Sequence, residues 1–377
     1  MALVLSEEQL MLKDSATGFL SDKAPVAALR KLRDEKNATG YCKKLWREMV
    51  EMGWAGITIP EEFGGAGYGY TGLGIILEQV GRNLTASPLE STVLVAATVI
   101  SEAGTQAQKE ALLPAIASGE LLVSLALQEG ALHAPHKTAT TAVPQGDGYV
   151  LNGCKTLVLD AHVANQFIIV ARISGAVGDA NGLGLFLVDA DQVEVSRDIM
   201  VDSRNYGTLT ITNVSVSSSA ILGRLETADA SLSRSLDIAN IGLSAQLLGL
   251  SMEAYERTLE YLKQREQFGE LIGSFQALQH RAAEMYTELE LCKSMVLRSL
   301  QAIDNNDTQL SLLATGTKAK LCEVAEIVTN EAIQMHGGIG MTDEFEIGFF
   351  IKRARAVQVT FGGYSYHIDR FAKLSGF

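Results

Sequence analysis

An arginine, an aromatic ring and a glycine stand together in Arg265-Glu266-Gln267-Phe268-Gly269, and Gly273-Ser274-Phe275-Gln276 follows shortly after. A guanidinium fork suits a diphosphate, and a phenylalanine offers its face to a flat ring. Further on, Gln334-Met335-His336-Gly337-Gly338-Ile339-Gly340 adds a side-chain amide and a run of glycines. A backbone without Cβ atoms can touch a bound group directly. Each motif has a plainer reading: a surface arginine beside a phenylalanine that closes a bundle helix, and a glycine turn. Their chemistry depends on what brings them together.

The first motif closes a stretch that reads as one helix from Leu232 to Gly269, with Leu236, Ala239, Leu243, Leu247, Leu250, Ala254 and Tyr261 near helical spacing. Such a helix spans roughly 50 Å. Gly242 and Gly249 lower helix propensity within it, so a closely packed neighbour is expected there. Gly269 is expected to leave the helix at positive φ. A second helix follows, with Leu278, Ala282, Met285, Leu289, Cys292, Val296 and Ile303 on one stripe.

Arg-Glu-Gln-Phe-Gly, a short loop, Phe-Gln and a long helix, with Gln-Met-His-Gly-Gly-Ile-Gly downstream, resembles the C-terminal domain of the acyl-CoA dehydrogenase family. The resemblance extends through the rest of the chain. It implies an α+β fold with an N-terminal helical domain (1–121), a middle β-barrel-like domain (122–227) and a C-terminal four-helix bundle (228–377).

The chain in order supports that division. Ser6 caps a helix through Leu20, Lys43–Met52 reads as another, and Pro60-Glu61-Glu62-Phe63-Gly64-Gly65-Ala66-Gly67 demands a tight loop before a helix from Leu73 to Val80. Helices are expected over 93–103 and 106–117. At Leu121 the period changes to that of strands. Gly148–Leu151 and Lys155–Leu159 read as a hairpin about an Asn152-Gly153 turn, with further strands over 167–173, 184–188 and 208–216.

Composition narrows the function classes. The 377 residues are 47% apolar, enough for a large core, and a net charge of −13 disfavours nucleic acid as a partner. No apolar run reaches membrane-spanning length and the start carries no signal-type pattern, so a cytoplasmic location is expected. Cys42, Cys154, Cys292 and Cys322 lack metal-type spacing and are expected to be buried, reduced thiols. His133 and His136 have no third ligand nearby in sequence, so no metal is expected.

The resemblance implies FAD, and assigns Arg265 to its diphosphate, Gln267 and Phe268 to flanking positions, Gln276 to the adenosine part, and Gln334, Gly337 and Gly338 to the other end. In the family these residues reach a neighbouring subunit's FAD, which implies an oligomer, a dimer of dimers of one or two kinds of chain. The β-domain loop Leu127-Gln128-Glu129-Gly130-Ala131-Leu132-His133-Ala134 departs from the family pattern. Gln128 takes the place of a flavin-contacting threonine, and Ala134 that of a serine directed at the CoA diphosphate. Leu157 and Leu159 replace an aromatic and a threonine near the flavin ring.

The family's base is usually a glutamate near the C-terminus. The corresponding run is Val359-Thr360-Phe361-Gly362-Gly363-Tyr364, where alignment places the base at Phe361 or Gly362. An alternative helix station falls on Ala239. Asp237 matches a CoA-contacting aspartate and is expected to bind substrate. Two residues along a helix turn a side chain about 200°, so it is poorly placed to act as the base. Asn240 replaces an arginine. Asp343, Glu344 and Glu346 read as a charged first helical turn.

The resemblance thus implies an FAD-dependent α,β-dehydrogenation of an acyl-CoA thioester, in fatty acid or steroid degradation, with an acceptor such as an electron-transfer flavoprotein. A mixed oligomer with a base-bearing subunit accounts for the pattern of departures. The alternative is a flavin-binding oxidase, monooxygenase or assembly subunit on the same fold. If only the base is missing, Gly362→Glu is expected to create activity.

Overall fold

Ser6 opens the first helix with reciprocal hydrogen bonds. Its Oγ accepts from the Gln9 amide at 3.2 Å, and the Gln9 side chain accepts from the Ser6 amide at 3.0 Å. A computed structural model describes residues 3–377, so the first two residues of the expected N-terminal domain lie outside it. The helices of the first third are α1 (Glu7–Lys23), α2 (Val26–Asp34), α3 (Lys43–Glu51), α4 (Gly69–Asn83), α5 (Ala97–Ala103) and α6 (Gln106–Ala117), with a π-helical stretch over Leu89–Ala96. Seven strands follow: β1 (Val123–Ala126), β2 (Thr141–Gln145), β3 (Gly148–Leu159), β4 (Gln166–Arg172), β5 (Leu183–Asp189), β6 (Glu194–Ile199) and β7 (Asn205–Ser217). Then come α7 (Ala228–Gln264), the short strands β8 (Glu266–Gln267) and β9 (Glu270–Leu271), α8 (Gln276–Asp304), α9 (Leu310–His336), α10 (Ile347–Val359) and α11 (Tyr364–Leu374). The succession is helical, then a curled sheet, then helical, as the family fold requires.

By contacts the chain forms two units. One comprises Lys36–Gly69 and Ser87–Ala239. Its seven-stranded sheet runs β1-β4-β2-β3-β7-β6, with β5 paired to β4. Leu151, Phe167, Ile169, Phe186, Val188, Leu209 and Ile211 form its core. The expected Asn152-Gly153 hairpin is absent. Both residues lie inside the single strand β3, at a register shift between Leu151 and Gly153, and the turn falls instead between β2 and β3 at Gly146-Asp147. A Cβ at 153 would collide with the Thr140 side chain, and Asn152 Oδ1 accepts from the Asn213 amide at 2.8 Å. The pair builds a bulge, a use that sequence does not distinguish from a turn.

The other unit comprises Met1–Glu35, Tyr70–Ala86 and Asn240–Phe377. Here α8, α10 and α11 pack against α9. On α8 the expected stripe is buried from Ala282 through Met285, Leu289, Cys292 and Val296 to Ile303. The neighbour expected at Gly249 is α4: a Cβ there would drive into the Glu78 carbonyl oxygen, and one on Gly81 would meet that of Gln246. Two of the four thiols, Cys42 and Cys154, are exposed, which corrects the expectation of burial; Cys42 lies just ahead of α3 and Cys154 in β3. Cys292 is buried, and loss of solvation pushes its thiol up to about 12.

Asp343, Glu344 and Glu346 precede α10 rather than forming its first turn, because the helix begins at Ile347. Two of them are ion-pair partners. Asp343 receives Arg33 at 2.6 Å and Arg30 at 3.0 Å, and Glu346 receives Arg257 at 2.7 Å. The Arg33 hydrogen bond, aided by Arg30 and Lys352, holds the Asp343 carboxyl down at about 2, against an ordinary 3.8. A depressed folded-state value means that the link contributes above the ordinary value and is lost as pH falls toward about 2. Urea midpoints of the wild type and Asp343→Asn should therefore differ at pH 6 and converge on acidification through that window.

Candidate cofactor and substrate site

Of the residues assigned to FAD, Arg265, Gln267 and Phe268 follow the end of α7, Gln276 opens α8, and Gln334, Gly337 and Gly338 lie at the end of α9. The long helix stops at Gln264, five residues short of the expected Gly269, because residues 266–271 form a small hairpin. Phe268 and Gly269 make its turn at φ 58° and 85°. Phe268 is 94% exposed and meets Phe275 edge-on at 6.3 Å. Arg265, Gln267 and Gln276 are exposed. The Arg265 guanidinium has no side-chain partner among the described residues, and the Gln267 amide donates to the Glu266 carbonyl at 2.6 Å. Across from them, Tyr261 stacks on His336 at 4.4 Å and its hydroxyl donates to the His336 carbonyl at 3.3 Å. That contact ties the first motif to Gln334, Gly337 and Gly338. Gly337 has φ 62°, and a Cβ on either glycine would enter open space. An uncommitted guanidinium, a bare ring, side-chain amides and a glycine backbone open to the outside fit an adenosine diphosphate group.

The β-domain loop is arranged differently. A cavity of about 500 Å³ is lined by Leu127, Gln128, Gly130, Leu132, Lys137 and neighbouring residues. The Gln128 amide is spent inside its own loop, donating to the Gly130 and Leu132 carbonyls at 2.7 and 2.6 Å. Glu129 accepts from the Ala139 and Thr140 amides at 2.6 and 3.0 Å and from Lys155 Nζ at 2.5 Å. Burial pulls the Lys155 ammonium down to about 8 against the opposing pull of Glu129. For Glu129 burial is again the largest influence, pushing up, but Lys155 and the two amides together hold the carboxyl below its ordinary value. Leu157 sits at φ 53° beside the second register shift of β3, and Leu159 is buried.

The segment where the family's base is sought lies between α10 and α11. Phe361 and Gly362 both have positive φ, 53° and 107°. A Cβ on Gly362 would run into the Tyr366 ring and come within 2.9 Å of His367 Nε2. Asp237 and Ala239 are both buried on α7. The Asn240 amide donates to the Phe361 carbonyl at 3.3 Å. The expectation that a glutamate at 362 restores activity is therefore revised. Left-handed backbone costs a non-glycine residue roughly 1–2 kcal/mol, and the ring must also move, about 1–3 kcal/mol for overpacking. Gly362→Glu should lower the melting temperature and give no gain in acyl-CoA turnover, measured by calorimetry and dye reduction on one preparation.

Sequence reasoning missed Lys318, which is fully buried and bonds this same segment. The signal was available: a lone lysine among Leu310, Ala314, Thr317 and Leu321, at the spacing of a buried helical face. Tyr261 was read as one more apolar position, and its link to His336 has no trace in spacing.

Comparison with known proteins shows the family. The model of the acyl-CoA dehydrogenase N-terminal domain matches residues 6–120, and that of the C-terminal domain matches residues 230–374. A 3-(aryl)acrylate reductase of Clostridium sporogenes is 30% identical over 367 residues, 95% of each chain. The chain belongs to the acyl-CoA dehydrogenase family. Another relative, the caffeyl-CoA reductase-Etf complex subunit CarC of Acetobacterium woodii, is 28% identical over 356 residues, 92% of each. Among solved structures, a Tcur3481-Tcur3483 steroid ACAD variant superposes with a TM-score of 0.88 at 32% identity, covering 98% of each chain. As an acyl-CoA dehydrogenase family member, the chain is an FAD-dependent oxidoreductase. No helix among the described residues is long and apolar enough to cross a membrane.

Proposed function

We propose that this chain dehydrogenates a bulky acyl-CoA thioester as one subunit of a mixed oligomer, in which a related chain carries the base. One contrast supports this reading. The residues suited to a neighbour's cofactor (Arg265, Phe268, Gln334, Gly337 and Gly338) stand exposed, with the Arg265 guanidinium uncommitted. The Gln128 amide of the chain's own β-domain loop is spent within that loop, Glu129 is paired with Lys155, and Gly362 has no room for a carboxylate. FAD, when bound, supplies a two-electron acceptor for hydride. Arg265 would neutralise its diphosphate, Phe268 would cover a ring face, and the backbone at Gly337 and Gly338 would approach it closely. The α-proton of the thioester needs a carboxylate from the partner chain. The similarity to a steroid ACAD named for two chains points the same way.

Purification together with chains expressed from neighbouring genes decides it. The mixed assembly gives about one FAD per two chains, a second polypeptide, and anaerobic bleaching by a bulky acyl-CoA. A homo-oligomer with one FAD per chain and its own turnover overturns it. Within the assembly, Arg265→Ala should weaken FAD binding at least about tenfold, since losing a charge-assisted contact costs roughly 1.5–3 kcal/mol. Flavin retention through repeated gel filtration reads this directly, and full occupancy in the variant would remove Arg265 from the site.

A further inference from the structure

Residues 337–346 join α9 to α10 with no strand or α-helix of their own. They begin with Gly337 and Gly338, both exposed, with open space where a Cβ would stand. Side chains from two other helices hold this segment at three points. At its start the Tyr261 ring of α7 stacks on His336, and the Tyr261 hydroxyl donates to the His336 carbonyl. Farther along, the Arg33 guanidinium of α2 donates to both carboxylate oxygens of Asp343, at 2.6 and 2.7 Å. Arg30 of the same helix donates to Asp343 Oδ2 at 3.0 Å and to the Asp343 carbonyl at 2.5 Å. The backbone is thus gripped as well as the side chain. At the close of the segment Arg257 of α7 donates to Glu346 at 2.7 Å.

Such pairs add only modestly to stability. The Asp343 side chain is 58% exposed, and ion pairs open to water are weak. They are better suited to fixing a position. The guanidinium carbons of Arg30 and Arg33 lie 4.8 and 5.0 Å from the centre of the buried Phe349 ring, which aims both at Asp343. Glycine loses more freedom on ordering than any other residue. A glycine strip left loose must be ordered by whatever binds it, and that ordering subtracts from affinity. Held at His336 on one side and at Asp343 on the other, Gly337 and Gly338 are ordered beforehand.

We infer that Arg30 and Arg33, acting through Asp343, are positioning residues that hold the Gly337–Gly338 backbone ready for the cofactor. This rests on the cofactor assignments of the function proposed above. The fastening lies outside the cofactor motifs, on a helix near the start of the chain.

The dissociation constant for FAD tests it, read by fluorescence as the assembled flavoprotein is diluted in about 50 mM salt. Arg30→Met with Arg33→Met should raise the constant at least about fivefold, since each exposed pair is worth up to about that factor. Asp343→Asn, which leaves Arg30 its carbonyl contact, should raise it less. Adding Asp343→Asn to the double variant should change nothing further, because the link is already broken. Asp343→Glu keeps the charge and should stay near the wild type. At about 1 M salt, where the Debye length is roughly 3 Å, wild type and variants should draw together. Amide hydrogen exchange over residues 337–342 should quicken in the double variant while the middle of α9 stays protected. A merely structural role would leave the FAD constant unchanged below the melting temperature, and that result overturns the inference. So does a further loss on adding Asp343→Asn, which would mean that Asp343 acts without the arginines. Failure of all these variants to fold would assign the arginines to structure alone and overturn it too. If Arg265→Ala also keeps its flavin, the cofactor assignments fall and the fastening with them. If Arg265→Ala loses flavin and the double variant does not, those assignments stand and only the fastening is removed.

Discussion

Replacing Arg204 by methionine is expected to cost about 3–5 kcal/mol of stability, the usual result of stripping one partner from a buried ion pair. Arg204 is 3% exposed and reaches Asp160 at 3.1 Å and Glu90 at 3.3 Å. Burial, the largest single influence, works against its charge, but the two carboxylates outweigh it and raise its pKa. Ser91 Oγ donates to the same Asp160 oxygen at 2.7 Å, and Asp160 is itself at φ 51°. Without the guanidinium, two buried carboxylates lose the cation they share. At about 1.4 kcal/mol per decade, the folded-to-unfolded ratio falls roughly a hundredfold to several thousandfold. Urea unfolding of Arg204→Met measures it, and adding Glu90→Gln should recover part of the loss. A change below about 1 kcal/mol would mean that water reaches the cluster, since pairs open to solvent are worth about that little.

The second large effect is expected at the crossing of α4 and α7. Gly249→Ala should gain about 1 kcal/mol of helix propensity, yet the new Cβ would occupy the space of the Glu78 carbonyl oxygen. That oxygen belongs to helix backbone, which moves only if α4 shifts bodily, and overpacking of this kind costs about 1–3 kcal/mol or more. The clash should win, and the variant should unfold at lower denaturant. Gly18→Ala is the control. Gly18 also lies within a helix, α1, but nothing stands within 4 Å of its Cβ position, so there the propensity gain of about 1 kcal/mol should appear as added stability. If both alanines stabilise, the two helices are farther apart than described.

Much of this fold was legible because its signals are local. Ser6 with Gln9, the stripe on α8 and the change of period at Leu121 each rest on neighbours in sequence, and all three reappear. Asn152-Gly153 was misread because the turn signal is also a bulge signal, and only Thr140, from another strand, decides between them. The end of α7 was placed too late because Gly269 serves a hairpin turn as well as a helix exit. The two motifs proposed for the cofactor stand out by residue type alone. What commits Gln128 to its own loop, and what fills the space beside Gly362, depends on Leu132 and Tyr366 as they come to lie in the fold. Lys318 was passed over for a related reason: a lysine is read as a surface residue unless its helical face is counted.

The division of the chain into units also has a consequence for its synthesis. One unit opens with Met1–Glu35 and Tyr70–Ala86, but the segment that completes it begins at Asn240, about 150 residues later. A ribosome adding about 5–20 residues per second makes α4 wait roughly 8–30 s for α7, with the face that carries Gly74 and Gly81 uncovered. Most of the β-containing unit emerges within that interval and has all its parts before the first-made helices have theirs. This segment, made before the β-containing unit, is therefore completed after it, so slow translation lengthens the exposure of α4 and a holding chaperone would act on α4 first.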